Sequence, residues 1–263
     1  MNDSKIIFFD IDGTLLDREG QVSESAARAI QALRQNGHKA ILCSGRTRGY
    51  IREEEVLSIG FDGIISGCGT EVEYDGAILL QRLIEKKEAI RVVEAAKKYS
   101  FPSILEGPRH LYLDAEEFEG DAYVQRLSRV MGEDLRTIRD HWGEWQFSKL
   151  SCVINPETRD AFFAEFKDGY DAIFHNDIVA EIVPKGFDKS TGMAWLCDHL
   201  GVTREDTFAF GDGMNDIGMF RWAGTGVAMG NGQPAAKEAA DYVTEDMHRD
   251  GVRNALRHFG LIS

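Results

Sequence analysis

The run Ile6-Ile7-Phe8-Phe9 has no polar residue to turn toward water. A strand there must be covered on both faces, which places it inside a parallel sheet with helices on either side. It ends on Asp10 and continues Ile11-Asp12-Gly13-Thr14. Carboxylates two residues apart on an extended chain face the same way, so their charges repel unless a cation or a shared proton lies between them.

The rest of the N-terminal stretch keeps a strand and helix rhythm. An amphipathic helix from about Ser23 stops at Asn36-Gly37, a C-cap signal, and "HKAILCSGR" supplies a second strand. A polar helix over about 46–58 leads to a third short strand, "FDGIIS". The rhythm returns after residue 184. A helix over about 188–200 closes on Gly201, followed by strand "TFAFGD", a helix from Met214, strand "TGVAM", a helix from Gln233, strand "YVT" and a last helix. Both ends read as halves of one doubly wound α/β sheet.

The middle has another grammar. The hairpin "EVEYDGAILL" turns at Asp75-Gly76; then come a helix at 86–99, short strands around 103–113 and a helix at 116–131. A long alternating strand "FSKLSCVIN", a helix at 157–167 and a strand pair around Asn176-Asp177 complete it. The chain therefore divides into a core of 1–81 and 184–263 and an inserted α+β block of 82–183.

Composition narrows the function. Of the 263 residues 43% are hydrophobic and 28% charged, enough to build a sizeable core. A net charge of -14 repels phosphate backbones and anionic lipids, which argues against nucleic-acid and membrane partners. Four scattered cysteines, Cys43, Cys68, Cys152 and Cys197, form no CxxC pair. With no leader-like apolar segment before Asp10, they read as free thiols of a cytoplasmic protein, monomeric or weakly dimeric.

In an open α/β sheet, ligands bind beyond the carboxyl ends of the strands. The first strand delivers Asp10, Asp12 and Thr14 there, the second Ser44, Gly45 and Arg46, and "TFAFGD" delivers Asp212, Asn215 and Asp216. Asp188 reads as an N-cap that sets Lys189 in a first helical turn. Three aspartates with water make an oxygen-only site suited to Mg²⁺. Asp10 is then placed to attack phosphorus, Asp12 to act as general acid and base, and Ser44 and Gly45 to hold the transferring oxygens. Thr14 reads as a hydrogen-bonding support of this turn.

"DIDGTLLD", "ILCSGR", "DKSTG" and "GDGMND", in that order and with about a hundred residues inserted before the lysine, resemble the four motifs of the haloacid dehalogenase-like hydrolases. The insertion point is similar to that of the Cof-type phosphatases, which carry a large α/β cap. The resemblance implies a Mg²⁺-dependent phosphatase of small phosphorylated metabolites, sugar phosphates or a phosphorylated cofactor, working through an aspartyl-phosphate. Asp10 would be nucleophile and metal ligand, and Asp12 acid/base and ligand through its backbone. Asp212 would complete the metal site; Ser44, Gly45, Lys189 and Asn215 would hold phosphate, with Thr14, Arg46 and Asp216 in support. Cys68 stands where relatives often show asparagine. A phosphomutase or phosphotransferase would use the same nucleophile, and a receiver-like signalling module would put its aspartate on a middle strand. Within the inserted block, Trp142, Trp145, His175 and Asn176 are the candidates for substrate contact.

Overall fold

The structure, a computed structural model, describes residues 4–263. The chain forms two compact units. One takes the chain up to Gly45, Glu53–Leu80 and Asp188–Ser263; the other takes Arg46–Arg52 and Gln81–Phe187.

In chain order the elements are β1 (Ile6–Phe9), α1 (Glu24–Gln35), β2 (Lys39–Cys43), α2 (Glu54–Leu57), β3 (Gly63–Ser66), β4 (Glu71–Tyr74) and β5 (Ala77–Gln81). There follow α3 (Lys86–Lys98), β6 (Ser103–Glu106), β7 (Leu111–Tyr112), α4 (Ala122–Met131), β8 (Leu135–Arg136), β9 (Lys149–Val153), α5 (Arg159–Phe166), β10 (Tyr170–Phe174) and β11 (Val179–Pro184). The chain ends with α6 (Lys189–Leu200), β12 (Thr207–Gly211), α7 (Ile217–Trp222), β13 (Thr225–Ala228), α8 (Pro234–Ala239), β14 (Tyr242–Val243) and α9 (Gly251–His258).

The first unit is built on an eight-stranded sheet in the order β14-β13-β12-β1-β2-β3-β4-β5. The six strands from β14 to β3 run parallel, and β4 turns back antiparallel on β3. Every residue of β1 is buried, as its apolar run demands. On one face Ile6, Phe8, Ile41 and Ile65 pack with Met193 and Leu196 of α6 and with Met219 and Phe220 of α7. The strand order reverses direction at β1 and β12, the switch point where such sheets open a crevice at their carboxyl ends. That edge carries Asp10 and Asp212.

The second unit holds a six-stranded sheet in the order β10-β11-β9-β6-β7-β8, antiparallel except for β7 with β8. Leu105, Leu150, Cys152 and Ile182 point to one face, against Val92 and Val93 of α3 and Phe162 and Phe166 of α5. On the other face Ile104, Leu111 and Leu113 meet Val124, Leu127 and Met131 of α4.

Two expected helices are corrected. Instead of one helix at 46–58, the chain makes a 3₁₀ turn at Arg48–Tyr50, an extended stretch, and only then α2. Tertiary packing decides this: Tyr50 is buried among Ile104, Leu111 and Phe118, and a side chain at Gly49 would strike the Gly107 carbonyl. The helix expected at 116–131 breaks into a 3₁₀ turn, Ala115–Phe118, and α4. Gly120 sits at φ +82°, and Asp121 starts α4 by accepting from the Tyr123 and Val124 amides.

Candidate active site

Asp10 leaves the end of β1 with its amide bonded to the Phe210 carbonyl of β12, so the two central strands fix it together. It is 4% exposed. Lys189 opens α6 behind the Asp188 cap, whose carboxylate accepts from the Thr191 amide and the Ser190 hydroxyl. The Lys189 ammonium, 1% exposed, donates to Asp10 Oδ1 at 2.5 Å and to Asp216 Oδ1 at 2.6 Å. The other oxygen of Asp216 accepts from the Asp212 and Gly213 amides, closing the turn after β12. Asp216, read from sequence as a support, thus touches the lysine directly.

Carboxylate oxygens of Asp10, Asp212 and Asp216 gather within 4.8 Å of one another. Burial, and then the charges of Asp216, Asp12 and Asp212, push Asp10 well above the usual carboxylate range against the opposing pull of Lys189. Asp212 is pushed up to about 7 by burial and by Asp216, again with Lys189 opposing. Burial works against the charge on Lys189, but Asp10 and Asp216 overcome it and hold its pKa well above that of a free lysine. One ammonium does not balance these acids, and the donors are all oxygen. Both properties fit Mg²⁺.

Asp12 was expected to meet the metal through its backbone; its carboxylate stands apart from that cluster, exposed on the turn after β1. The turn is held by a bond from the Gly13 amide to the Leu16 carbonyl. Gly13 sits at φ +77°, and a side chain there would run into the Asp212 carboxylate. Only glycine lets the two motifs come this close. Thr14 does not make the expected support: its buried hydroxyl has no hydrogen-bond partner among the described residues.

The remaining candidates fall into place by unit. Ser44 is buried, with its amide bonded to the Ile65 carbonyl, and Cys68 packs beneath it. The Cys68 amide reaches the Ser44 carbonyl and its thiol the Gly45 carbonyl at 3.9 Å. Cys68 takes the left-handed φ of +55° that asparagine tolerates better. Asn215 is half-buried in the turn after β12. Arg46 belongs to the second unit, its guanidinium over the Tyr50 ring at 4.6 Å.

Also in that unit, Trp145 is a core residue that donates to the Ile138 carbonyl, and the exposed Trp142 packs edge-on against it. Asn176 is spent on its hairpin, accepting from the Ile178 and Val179 amides. His175 lies 3.3 Å from Glu181.

Two features escaped sequence reasoning. Lys149, buried in β9, pairs with Glu181 at 2.6 Å and Glu106 at 3.3 Å. Asn231, after β13, reaches back to the turn at Gly13. The signal for Asn231 was present, since β13 delivers "MGNG" to the same sheet edge as β12.

A family profile described as haloacid dehalogenase-like hydrolase matches residues 7–256. The chain belongs to the haloacid dehalogenase-like hydrolases. Within them it is of the Cof type and a phosphoric monoester hydrolase. YkrA of Bacillus subtilis (strain 168) is 30% identical over 99% of this hydrolase and 99% of its own length. From the same organism, the 5-amino-6-(5-phospho-D-ribitylamino)uracil phosphatase YcsE is 28% identical over 98% and 97%. Among solved structures, the subclass IIB sugar phosphatase BT4131 matches with a TM-score of 0.82 at 25% identity, over 98% of this hydrolase and all of that chain.

Proposed function

We propose that this hydrolase is a Mg²⁺-dependent phosphatase that cleaves small phosphorylated metabolites, sugar phosphates or a phosphorylated cofactor, through an aspartyl-phosphate on Asp10. The observation that carries the reading is Asp10 itself, a buried carboxylate held by Lys189 at one oxygen in a cluster short of positive charge. Asp10 and Asp212 would hold Mg²⁺ through their carboxylates and Asp12 through its backbone, with Asp216 fixing the turn that presents Asp212. Mg²⁺ there would offset the charge of the incoming phosphate and polarise its oxygens.

Lys189 fixes Asp10 Oδ1, and Oδ2 attacks phosphorus in line. As the new oxygen–phosphorus bond forms, the bond to the leaving alkoxide breaks and Asp12 gives that oxygen its proton. Asp12, now a carboxylate, takes a proton from water that attacks the aspartyl-phosphate; inorganic phosphate leaves and Asp10 is restored. Ser44, Gly45 and Asn215 hold the phosphate oxygens. The names of YcsE and BT4131, one acting on a phosphoribityl compound and one a sugar phosphatase, support a small polyol-type substrate.

Asp10→Asn should abolish turnover and the acid-stable phosphoprotein, because an amide does not accept the phosphoryl group. Asp12→Asn should slow alkyl phosphates by about 10²- to 10⁴-fold and aryl phosphates, whose leaving groups need little protonation, far less. Turnover by Asp10→Asn near that of the wild type would refute the nucleophile.

A further inference from the structure

Asp12 is exposed and stands on the turn after β1, so the backbone of that turn sets where its carboxylate starts from. Within that turn the Leu15 and Leu16 amides both bond to the Ile11 carbonyl, at 2.9 and 2.8 Å. The Gly13 amide bonds to the Leu16 carbonyl at 2.8 Å, and the Thr14 amide reaches the Ile11 carbonyl only at 3.4 Å. The Gly13 position bears no side chain and tolerates none.

A side-chain bond from outside the turn comes from Asn231. Its side-chain amide donates to the Gly13 carbonyl at 2.7 Å, while its oxygen accepts from the Met247 amide at 3.0 Å. Met247 is buried and opens the 3₁₀ turn Met247–Arg249, which gives the asparagine a fixed footing. The same loop also secures the neighbouring motif. The Met229 amide bonds to the Gly211 carbonyl and the Gln233 amide to the Asp212 carbonyl, at 2.9 and 2.8 Å. The segment 229–233 therefore holds the turn of Asp12 and the turn of Asp212 in one register, and Asn231 is its side-chain link to the former.

We infer that Asn231 is a positioning residue for the general acid: by holding the Gly13 carbonyl it fixes where Asp12 meets the leaving oxygen. The inference rests on the role proposed above for Asp12. An exposed hydrogen bond adds little to folding, whereas a small misplacement of a proton donor costs rate steeply. A merely structural asparagine would show the reverse balance.

The test compares Asn231→Ala and Asn231→Asp with Asp12→Asn on one alkyl and one aryl phosphate in saturating Mg²⁺. Asn231→Ala should lower kcat on the alkyl ester about 10-fold and on the aryl ester less than about 3-fold. KM, competitive inhibition by inorganic phosphate and the melting temperature should stay near wild type. Asn231→Asp still accepts from Met247 but turns a carboxylate oxygen toward the Gly13 carbonyl, so it should lose alkyl activity at least as strongly. Wild-type alkyl activity in Asn231→Asp, or equal losses on both esters in Asn231→Ala, overturns the inference while leaving Asp12 in place. If Asp12→Asn itself fails to discriminate between the esters, the general-acid reading falls, and this inference with it.

Discussion

Each unit buries one lysine between two carboxylates, and the two sites differ in charge balance. Lys149 in the second unit is 1% exposed and sits between Glu181 and Glu106. The Ser151 hydroxyl donates to Glu106 at 2.5 Å, and His175 stands at the Glu181 side. Burial would raise both carboxyl groups, but Lys149 and His175 win at Glu181 and hold it far below the usual range. Glu106 stays raised, by burial and by the charge of Glu181. In the first unit Lys189 is just as buried, yet it faces Asp10 and Asp216 with Asp12 and Asp212 close by, and both Asp10 and Asp212 rise. In the second unit Lys149 and His175 face two glutamates, of which only Glu106 rises; in the first, one lysine faces four aspartates. In the mechanism proposed above, the excess of negative charge around Asp10 is where a cation and a phosphate would be received.

The largest effect that separates the two lysines should come from Lys189→Met and Lys149→Met. The first should cost about 10²- to 10³-fold or more in turnover of an aryl phosphate, the usual worth of a preorganised charge at the reacting group. The second should leave that turnover within about 3-fold, although stripping a buried lysine from its carboxylates destabilises by about 3–5 kcal/mol. Equal losses of turnover in folded protein would break the distinction.

Acid and base should then act in opposite directions on the two sites. Glu181 has a folded pKa below its ordinary 4.5, so its contribution is complete above 4.5 and is lost as pH falls through the folded value. Asp212 has a folded pKa raised from 3.8 to about 7. The folded, metal-free protein therefore binds this proton more readily than the unfolded chain, and stability should fall as pH rises across that window. Urea unfolding in chelator, repeated with Asp212→Asn and Glu181→Gln, checks both signs; a slope unchanged in Asp212→Asn would contradict the assignment. The smallest effect is expected inside the second network. Glu106→Gln should cost less stability than Glu181→Gln, since Gln resembles the protonated form that burial already favours at Glu106.

The same comparison shows what the sequence discloses. Lys189 was legible because it follows a cap residue at a helix start and shares a sheet edge with three other motifs. Lys149 was not, because "FSKLSCVIN" alternates, and a lysine on the polar face of an alternating strand reads as solvated. That this face is buried is a fact of tertiary packing. The strand order could be read because apolar runs and Gly stops recur locally, whereas the broken helix at 46–58 depended on Tyr50 finding a pocket among residues 104–127. Asn231 was missed for a related reason: its partners, Gly13 and Met247, are distant in sequence.

In the proposed mechanism the Asp10 cluster lacks a positive charge that Mg²⁺ would supply for phosphoryl transfer. Chelator-stripped protein titrated with Mg²⁺, with unfolding temperature and phosphate release from an aryl phosphate read in the same samples, tests it directly. Both should rise together with one midpoint, as binding to the folded state requires. Asp212→Asn should move that midpoint to higher Mg²⁺, and Lys149→Met should leave it in place. Full phosphate release in chelator, or a midpoint indifferent to Asp212, would contradict the claim.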